Sequence, residues 1–436
     1  MFMVTDICSM GNLEEGQAEP TKKLLCHQNI PRLPRQAAGA KATVQPAIHP
    51  QKINLTFSEH TGTPGVRPNS TPAICPKQTL CLTPLTFLTQ FTSRTMASNP
   101  IPPRVSAQTL SEQLALDLGP EADTFTTRFL PERMGNMGSF AYGGCALGVG
   151  VQAACETVSQ GYCPYSISGS FLAPVSIDIK LDASVRRVRD TRTFATRLVE
   201  ISQVQPQKNG KSQRRLCMIL LADFHKEGEE SLLDFSAPPD KKYSGPENSL
   251  TPREIARKLV TDKVITPETE SAYNTLFGLM TRHFETRQAP EGIGAQNLTG
   301  MAKNQTTTQD SLPLTSKTTA DWIRCRTPLR QDRPLQHYAG LAFILDGYLS
   351  FLAGMHNHMF LDDAAACASL DFAMRVFSSE WDLTQWNLRE MKSVAGGEGR
   401  TYSEARLWNA EGRLVANMTQ QSILRPFGKK KTKASL

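Results

Sequence analysis

No run of 18 apolar residues occurs anywhere in the 436-residue chain, so no segment is expected to cross a membrane as a helix. The ten cysteines form no C-x-x-C pair and show no metal-type spacing with histidine, which leaves zinc and thioredoxin chemistry unsupported. Cys145, Cys155, Cys217 and Cys367 sit in apolar runs, where cysteine packs as a small hydrophobe, a usage that suits a reducing compartment. His356-Asn-His358 reads as a surface pair following a helix. A G-x-S-x-G elbow is missing, so a nucleophilic serine of the familiar hydrolase type is unsupported. A dinucleotide fingerprint after a strand is missing too, since Gly148-x-Gly150 falls inside a helical pattern. A net basic excess is absent from the body of the chain. Of the net +7, residues 1–95 carry 9 Lys/Arg against 5 Asp/Glu, four lysines follow Gly428, and 96–428 hold 35 basic and 36 acidic residues. A nucleic-acid reader would need a basic stripe on its folded surface, so nucleic acid is not an expected partner. Neither a metal nor a cofactor is expected.

What is present divides by composition. Residues 1–95 mix Pro, Ser, Thr and His without sustained periodicity, as a disordered extension does. Early Asp6, Glu14, Glu15 and Glu19 argue against a mitochondrial presequence, and Met96 is an alternative start. Residues 106–235 and 320–428 read as two folded domains, and 429–436 as a basic, solvated tail. Between the domains, 236–319 is polar and rich in Pro, Thr, Asn and Gln, and is read as a linker or insertion covering the joint. Pro252–Leu259 and Tyr273–Phe284 within it fit short helices.

The two folded segments repeat one order. In the first, Gly143–Cys155 is an apolar helix of small residues. Ser166–Pro174 follows as a strand, and then Ile177, Ile179, Leu181, Ala183 and Val185 alternate with polar residues, which predicts a half-exposed strand. Thr193–Val204 and Arg215–His225 complete a sheet. The second segment has a strand at Trp322–Arg326, an apolar helix over Leu341–Gly354, and strands at Ala368–Phe377, Gln385–Val394, Thr401–Asn409 and Leu414–Arg425. Asn409-Ala-Glu-Gly412 fits a hairpin turn with Gly in a left-handed position. A helix and its antiparallel strands, occurring twice, imply an α+β fold in which a sheet wraps a buried helix.

Asp346 is the one charged residue of Leu341–Gly354. An ionised carboxylate taken out of water costs several kcal/mol unless partners hydrogen-bond it. Two readings follow from the helix alone: a structural carboxylate satisfied by backbone or lying near the helix end, and a catalytic one. Along the last strand Leu414, Ala416, Met418, Gln420, Ser422 and Leu424 share a face, which places the Gln420 amide among apolar neighbours and in need of partners. Ser369 precedes a strand whose apolar face is Leu370, Phe372, Met374 and Val376. Alternation sets it opposite that face unless the chain bends there.

Tyr142-Gly-Gly-Cys-Ala-Leu-Gly148, Ser166–Pro174 and Val188–Arg197 resemble the first half of the type II acyl-CoA thioesterases, which are tandem hotdog enzymes. Ile344-Leu-Asp346, Ala368-Ser-Leu-Asp371 and Thr419–Arg425 resemble the second half. The resemblance covers roughly 106–235 and 320–428. It implies a double hotdog fold and hydrolysis of a fatty acyl-CoA to free acid and CoA, with water attacking directly and no acyl-enzyme. It implies that Asp346, Ser369 and Gln420 orient and activate that water, a role these side chains suit as proton acceptor, donor and amide. Backbone N–H groups at Gly143 and Gly144, at a central helix start, are the expected oxyanion donors, with tight helix packing the alternative reason for those glycines. Phe372 and Ser168 stand where family members often carry His, which bears on substrate preference. Two further readings stay open: a thioesterase for a carrier-bound or specialised-metabolite thioester, and a non-catalytic acyl-binding protein. Related tandem proteins often associate, so a homo-oligomer is an expectation. Ala434-Ser-Leu436 resembles a peroxisomal address without its middle basic residue, which makes a peroxisomal location one expectation and a cytoplasmic one the alternative.

Overall fold

The computed structural model describes residues 105–206, 210–228, 230–329 and 335–427. The expected extension 1–95 and the tail 429–436, with its terminal tripeptide, lie outside them. Within the described residues the first half comprises α1 (Leu110–Gln113), β1 (Leu116–Leu118), β2 (Thr124–Thr127), α2 (Gly143–Cys155), β3 (Tyr162–Phe171), β4 (Asp182–Asp190), β5 (Phe194–Pro206) and β6 (Ser212–Lys226). Then come α3 (Pro252–Thr261), α4 (Pro267–Leu276), α5 (Gly278–His283), β7 (Phe284–Gln288) and α6 (Ile293–Gln296). The second half adds β8 (Thr318–Cys325), α7 (Gln336–Leu345), α8 (Leu352–Met355), β9 (Ala366–Ser369), β10 (Asp371–Val376), β11 (Asn387–Gly397), β12 (Arg400–Trp408) and β13 (Leu414–Arg425).

The repeat expected from the sequence is reproduced in topology. Strands run β2-β4-β5-β6-β3 in one half and β8-β11-β12-β13-β10 in the other, all antiparallel, and the halves join where β3 pairs with β10. A continuous sheet therefore curls around α2 and α7, the arrangement of a double hotdog. Both helices are apolar on every face because they are covered on every side, by the sheet and by each other. Gly144 and Gly148, four residues apart on one face of α2, let it lie against α7. A methyl at Gly148 would stand 3.2 Å from the Ala339 carbonyl, and one at Gly144 would stand 2.5 Å from that of Phe343. Gly150 faces the sheet instead, against Leu220 and Met218. Among the described residues no helix is long and apolar enough to cross a membrane.

Three local expectations shift. The alternating run from Ile177 becomes strand only at Asp182, because Gln203 draws off the backbone before it: its amide donates to the Ser176 and Ile179 carbonyls and accepts from the Ser176 N–H. The helix expected over Leu341–Gly354 stops at Leu345 and resumes at Leu352, with Tyr348 in the left-handed region (φ 76°) between. The strand expected over Ala368–Phe377 is interrupted at Leu370.

Residues 236–319, expected as a linker or insertion, are built into the second half. β7 extends its sheet beside β8, and Tyr273, Phe277, Met280 and Phe284 enter the main core. Tyr243 donates to the buried Glu390 carboxylate at 2.6 Å, while the Trp408 and Trp322 indoles donate to the carbonyls of Ala237 and Ser244. The expected helix at Pro252 forms with Thr251 and Glu254 as a reciprocal cap. The Asn409–Gly412 turn closes with Gly412 at φ 81°.

Candidate active site

Asp346 is the residue on which α7 ends, and it is 5 % exposed. Its carboxylate crosses to the start of α2 in the other half. That helix begins after Tyr142, an extended residue that offers no side-chain cap, so its first N–H groups need an outside acceptor. Asp346 supplies it by accepting the Gly144 N–H. The carboxylate is thus the N-cap of a helix that starts just over two hundred positions earlier in the chain, placed at the positive end of that helix dipole. The approach requires glycine at 143, where a Cβ would lie 2.8 Å from the second carboxylate oxygen and 3.2 Å from the Phe171 ring.

The other carboxylate oxygen accepts the Gln420 side-chain N–H at 2.6 Å. Gln420 is fully buried on the inward face of β13, as its alternation with Met418 and Ser422 indicated. Ser422, also fully buried, donates to the Gln420 carbonyl oxygen at 3.3 Å and so sets which end of the amide meets Asp346. Ser422 shares this face by the alternation of β13, and its sequence neighbours give it no part.

Ser369 reaches the same face through an irregularity in its strand. It pairs with Ser422, whereas Ala373 pairs with Thr419, so three residues (Leu370, Asp371, Phe372) stand against two (Gln420, Gln421). This is a β-bulge. It is held from both sides, because the Leu370 N–H donates to the Gln421 carbonyl while the Asp371 carboxylate accepts the Gln421 N–H at 2.9 Å. The extra residue reverses the alternation, and directly paired residues project to one side of a sheet. Ser369 therefore shares the side of Ser422, Gln420 and the buried Phe372. The bend that alternation alone demanded is present.

Burial raises the Asp346 pKa from the usual carboxylate range to about 6, and the bonds from Gln420 and Gly144 hold it from rising further. Such a group is largely ionised at neutral pH yet basic enough to take a proton from water. Burial also pushes the Tyr142 phenol up, so it stays neutral, and its O–H donates to the Phe343 carbonyl at 2.6 Å, satisfying an end carbonyl of α7. Of the two expected oxyanion donors, Gly144 gives its N–H to the carboxylate, which gives it a part the sequence did not suggest. The cleft of about 530 Å³ lined by Tyr162, Tyr338 and Trp381 opens at the other end of the helix pair, so size alone does not locate this chemistry.

Comparison with known proteins agrees with this architecture. Residues 130–225 match the acyl-CoA thioesterase N-terminal domain and residues 266–424 the acyl-CoA thioesterase C-terminal domain, together more than half of the chain. The second match begins inside the segment read from sequence as a linker. The fold is similar to that of the crystallised acyl-CoA thioesterase II TesB2 of Mycobacterium marinum, with 20 % identity, a TM-score of 0.50, and coverage of 73 % of this chain and 98 % of that one. It is likewise similar to a tesB protein of Mycobacterium avium subsp. paratuberculosis, with 16 % identity, a TM-score of 0.50 and the same coverage of both chains.

Proposed function

The chain belongs to the acyl-CoA thioesterase family, and from that membership we propose that it hydrolyses a fatty acyl-CoA to the free acid and CoA, with Asp346 as the general base. In this reading a water beside Asp346 attacks the thioester carbonyl carbon and gives its proton to the carboxylate. The tetrahedral intermediate collapses, the C–S bond breaks, and the departing CoA sulfur takes the proton back from Asp346. Gln420 and Ser369 orient the water, and Ser422 keeps the Gln420 amide in register. The oxyanion is assigned to the start of α2, where Gly143 is the donor left once Gly144 serves the carboxylate.

One observation carries the reading: a carboxylate with 5 % exposure, held by an amide from β13 and a helix start from the other half, at a pKa of about 6. A structural carboxylate would gain more from a cationic partner. Its two bonds come instead from an amide and a backbone N–H, which fix its direction while leaving it able to take a proton. Release of free thiol from acyl-CoAs of graded chain length, and from carrier-bound acyl thioesters, tests this directly. Asp346→Asn is expected to lower turnover by about two orders of magnitude or more, the scale of a general-base contribution, while the protein stays folded. Folded wild type that releases no thiol from any of these substrates would end the proposal.

A further inference from the structure

Arg389 is fully buried on β11, and its Cα partner on β8 is the buried Asp321. The two form a bidentate ion pair, with Nε donating to one carboxylate oxygen at 2.9 Å and Nη2 to the other at 2.7 Å. No sequence pattern marks it, and nothing in the hydrolysis above uses it. Removing two charges from water is expensive, and an apolar pair of similar volume often serves a core as well or better. An ion pair in such a place calls for a task that an apolar pair would not perform.

The rest of the guanidinium supplies one. Its third nitrogen, Nη1, donates to the Ile344 carbonyl at 2.7 Å, and its central carbon lies 5.3 Å from the centre of the Tyr348 ring. These contacts fall two residues before and two residues after Asp346. Between them α7 ends, and Tyr348 adopts φ 76°, a left-handed conformation that a bulky side chain pays for in strain. The planar fork suits this task, since Asp321 fixes two of its nitrogens and the third is aimed. Lysine, a point charge on a single nitrogen, does not reproduce that planar bidentate fork.

We infer that Arg389, oriented by Asp321, is a positioning residue for the thioesterase site: it grips the chain on both sides of Asp346 and holds its carboxylate between Gln420 and the start of α2. This rests on the hydrolase reading above. Arg389 acts through the backbone at Ile344 and the ring of Tyr348.

The test is a double variant, Asp321→Leu with Arg389→Met, which removes both charges together and leaves neither stranded. It is compared with wild type in thermal stability, in kcat and KM for the best acyl-CoA, and in the pH profile. The expected result is a folded protein whose kcat falls about tenfold or more with KM little changed, the usual consequence of a displaced catalytic group. The acid limb of the profile should also move to higher pH, because Asp346 loses donors that lower its pKa. Carboxyl-carbon NMR titration of Asp346 reads the same upward movement without any turnover. Should the double variant fail to fold, Arg389→Lys keeps a cation for Asp321 and is expected to show the same fall in kcat and the same upward movement. A folded variant with wild-type kcat and an unmoved Asp346 titration overturns the inference. Wild type that is inactive on every thioester overturns the hydrolase reading instead, and the titration still reports whether Arg389 positions Asp346.

Discussion

At the scale of single residues, Asp346 costs stability. Its folded pKa of about 6 lies above the ordinary 3.8, so between these values the native state binds more protons than the unfolded one. Stability from this group is therefore greatest below pH 4, falls as pH rises toward 6, and above that carries the full penalty, on the order of 3 kcal/mol. Asp346→Asn should accordingly melt at higher temperature than wild type at pH 8, and the advantage should shrink by pH 4.5. Calorimetry across that range checks it, and a variant less stable at pH 8 would speak against a penalised carboxylate. Ser422→Ala removes the donor that sets the Gln420 amide. A net hydrogen bond is worth about 1 kcal/mol, so kcat is expected to drop about fivefold while the melting temperature changes little. Legibility varied among these residues for physical reasons. Gln420 was visible because β13 alternates without interruption, and Ser422 shared that signal. Ser369 was not, because a bulge reverses parity and Leu370-Asp371 carries no local mark of one. Arg389 and Asp321 lie 68 positions apart on two strands that are buried on both faces along this stretch, so neither alternation nor proximity in sequence singles them out.

At the scale of elements, the site is a junction of two helix ends. α2 lacks a cap of its own and α7 ends in a carboxylate, and each deficiency answers the other. The glycines of α2 serve this contact. Gly144→Ala would push a methyl into the Tyr142 ring and the Phe343 carbonyl, an overpacking expected to cost roughly 1–3 kcal/mol. Chemical denaturation should show that loss, together with a fall in activity as the helix ends separate. Unchanged stability would mean that the helices are not in contact there. The apolar character of both helices and the order of strands after each were legible, since burial on every side and period-2 alternation are composition-level signals. The point where α7 stops was not legible, because Gly347-Tyr-Leu-Ser-Phe-Leu continues an apolar run and the break depends on Arg389 and Tyr142 taking the end carbonyls.

For the whole molecule, the two halves are parts of one machine. The carboxylate and amide come from the second half, the helix start comes from the first, and the sheet is continuous through β3 and β10. Residues 236–319 looked like a linker because most of their surface is polar. The spacing of Tyr273, Phe277, Met280 and Phe284 nevertheless marks a helical apolar stripe, and these residues enter the shared core. The first half alone, 105–235, is thus expected to aggregate, with β3 an open edge and α2 uncovered, which light scattering would report. A chain begun at Met96 is expected to keep full activity. The most direct measurement of the central claim is thiol release from acyl-CoA between pH 5 and 8 by wild type and by Asp346→Asn. Wild-type kcat/KM is expected to fall below an acid limb near pH 6, and the variant to lose about a hundredfold or more at every pH. An Asp346→Asn protein that hydrolyses acyl-CoA at the wild-type rate would contradict that claim.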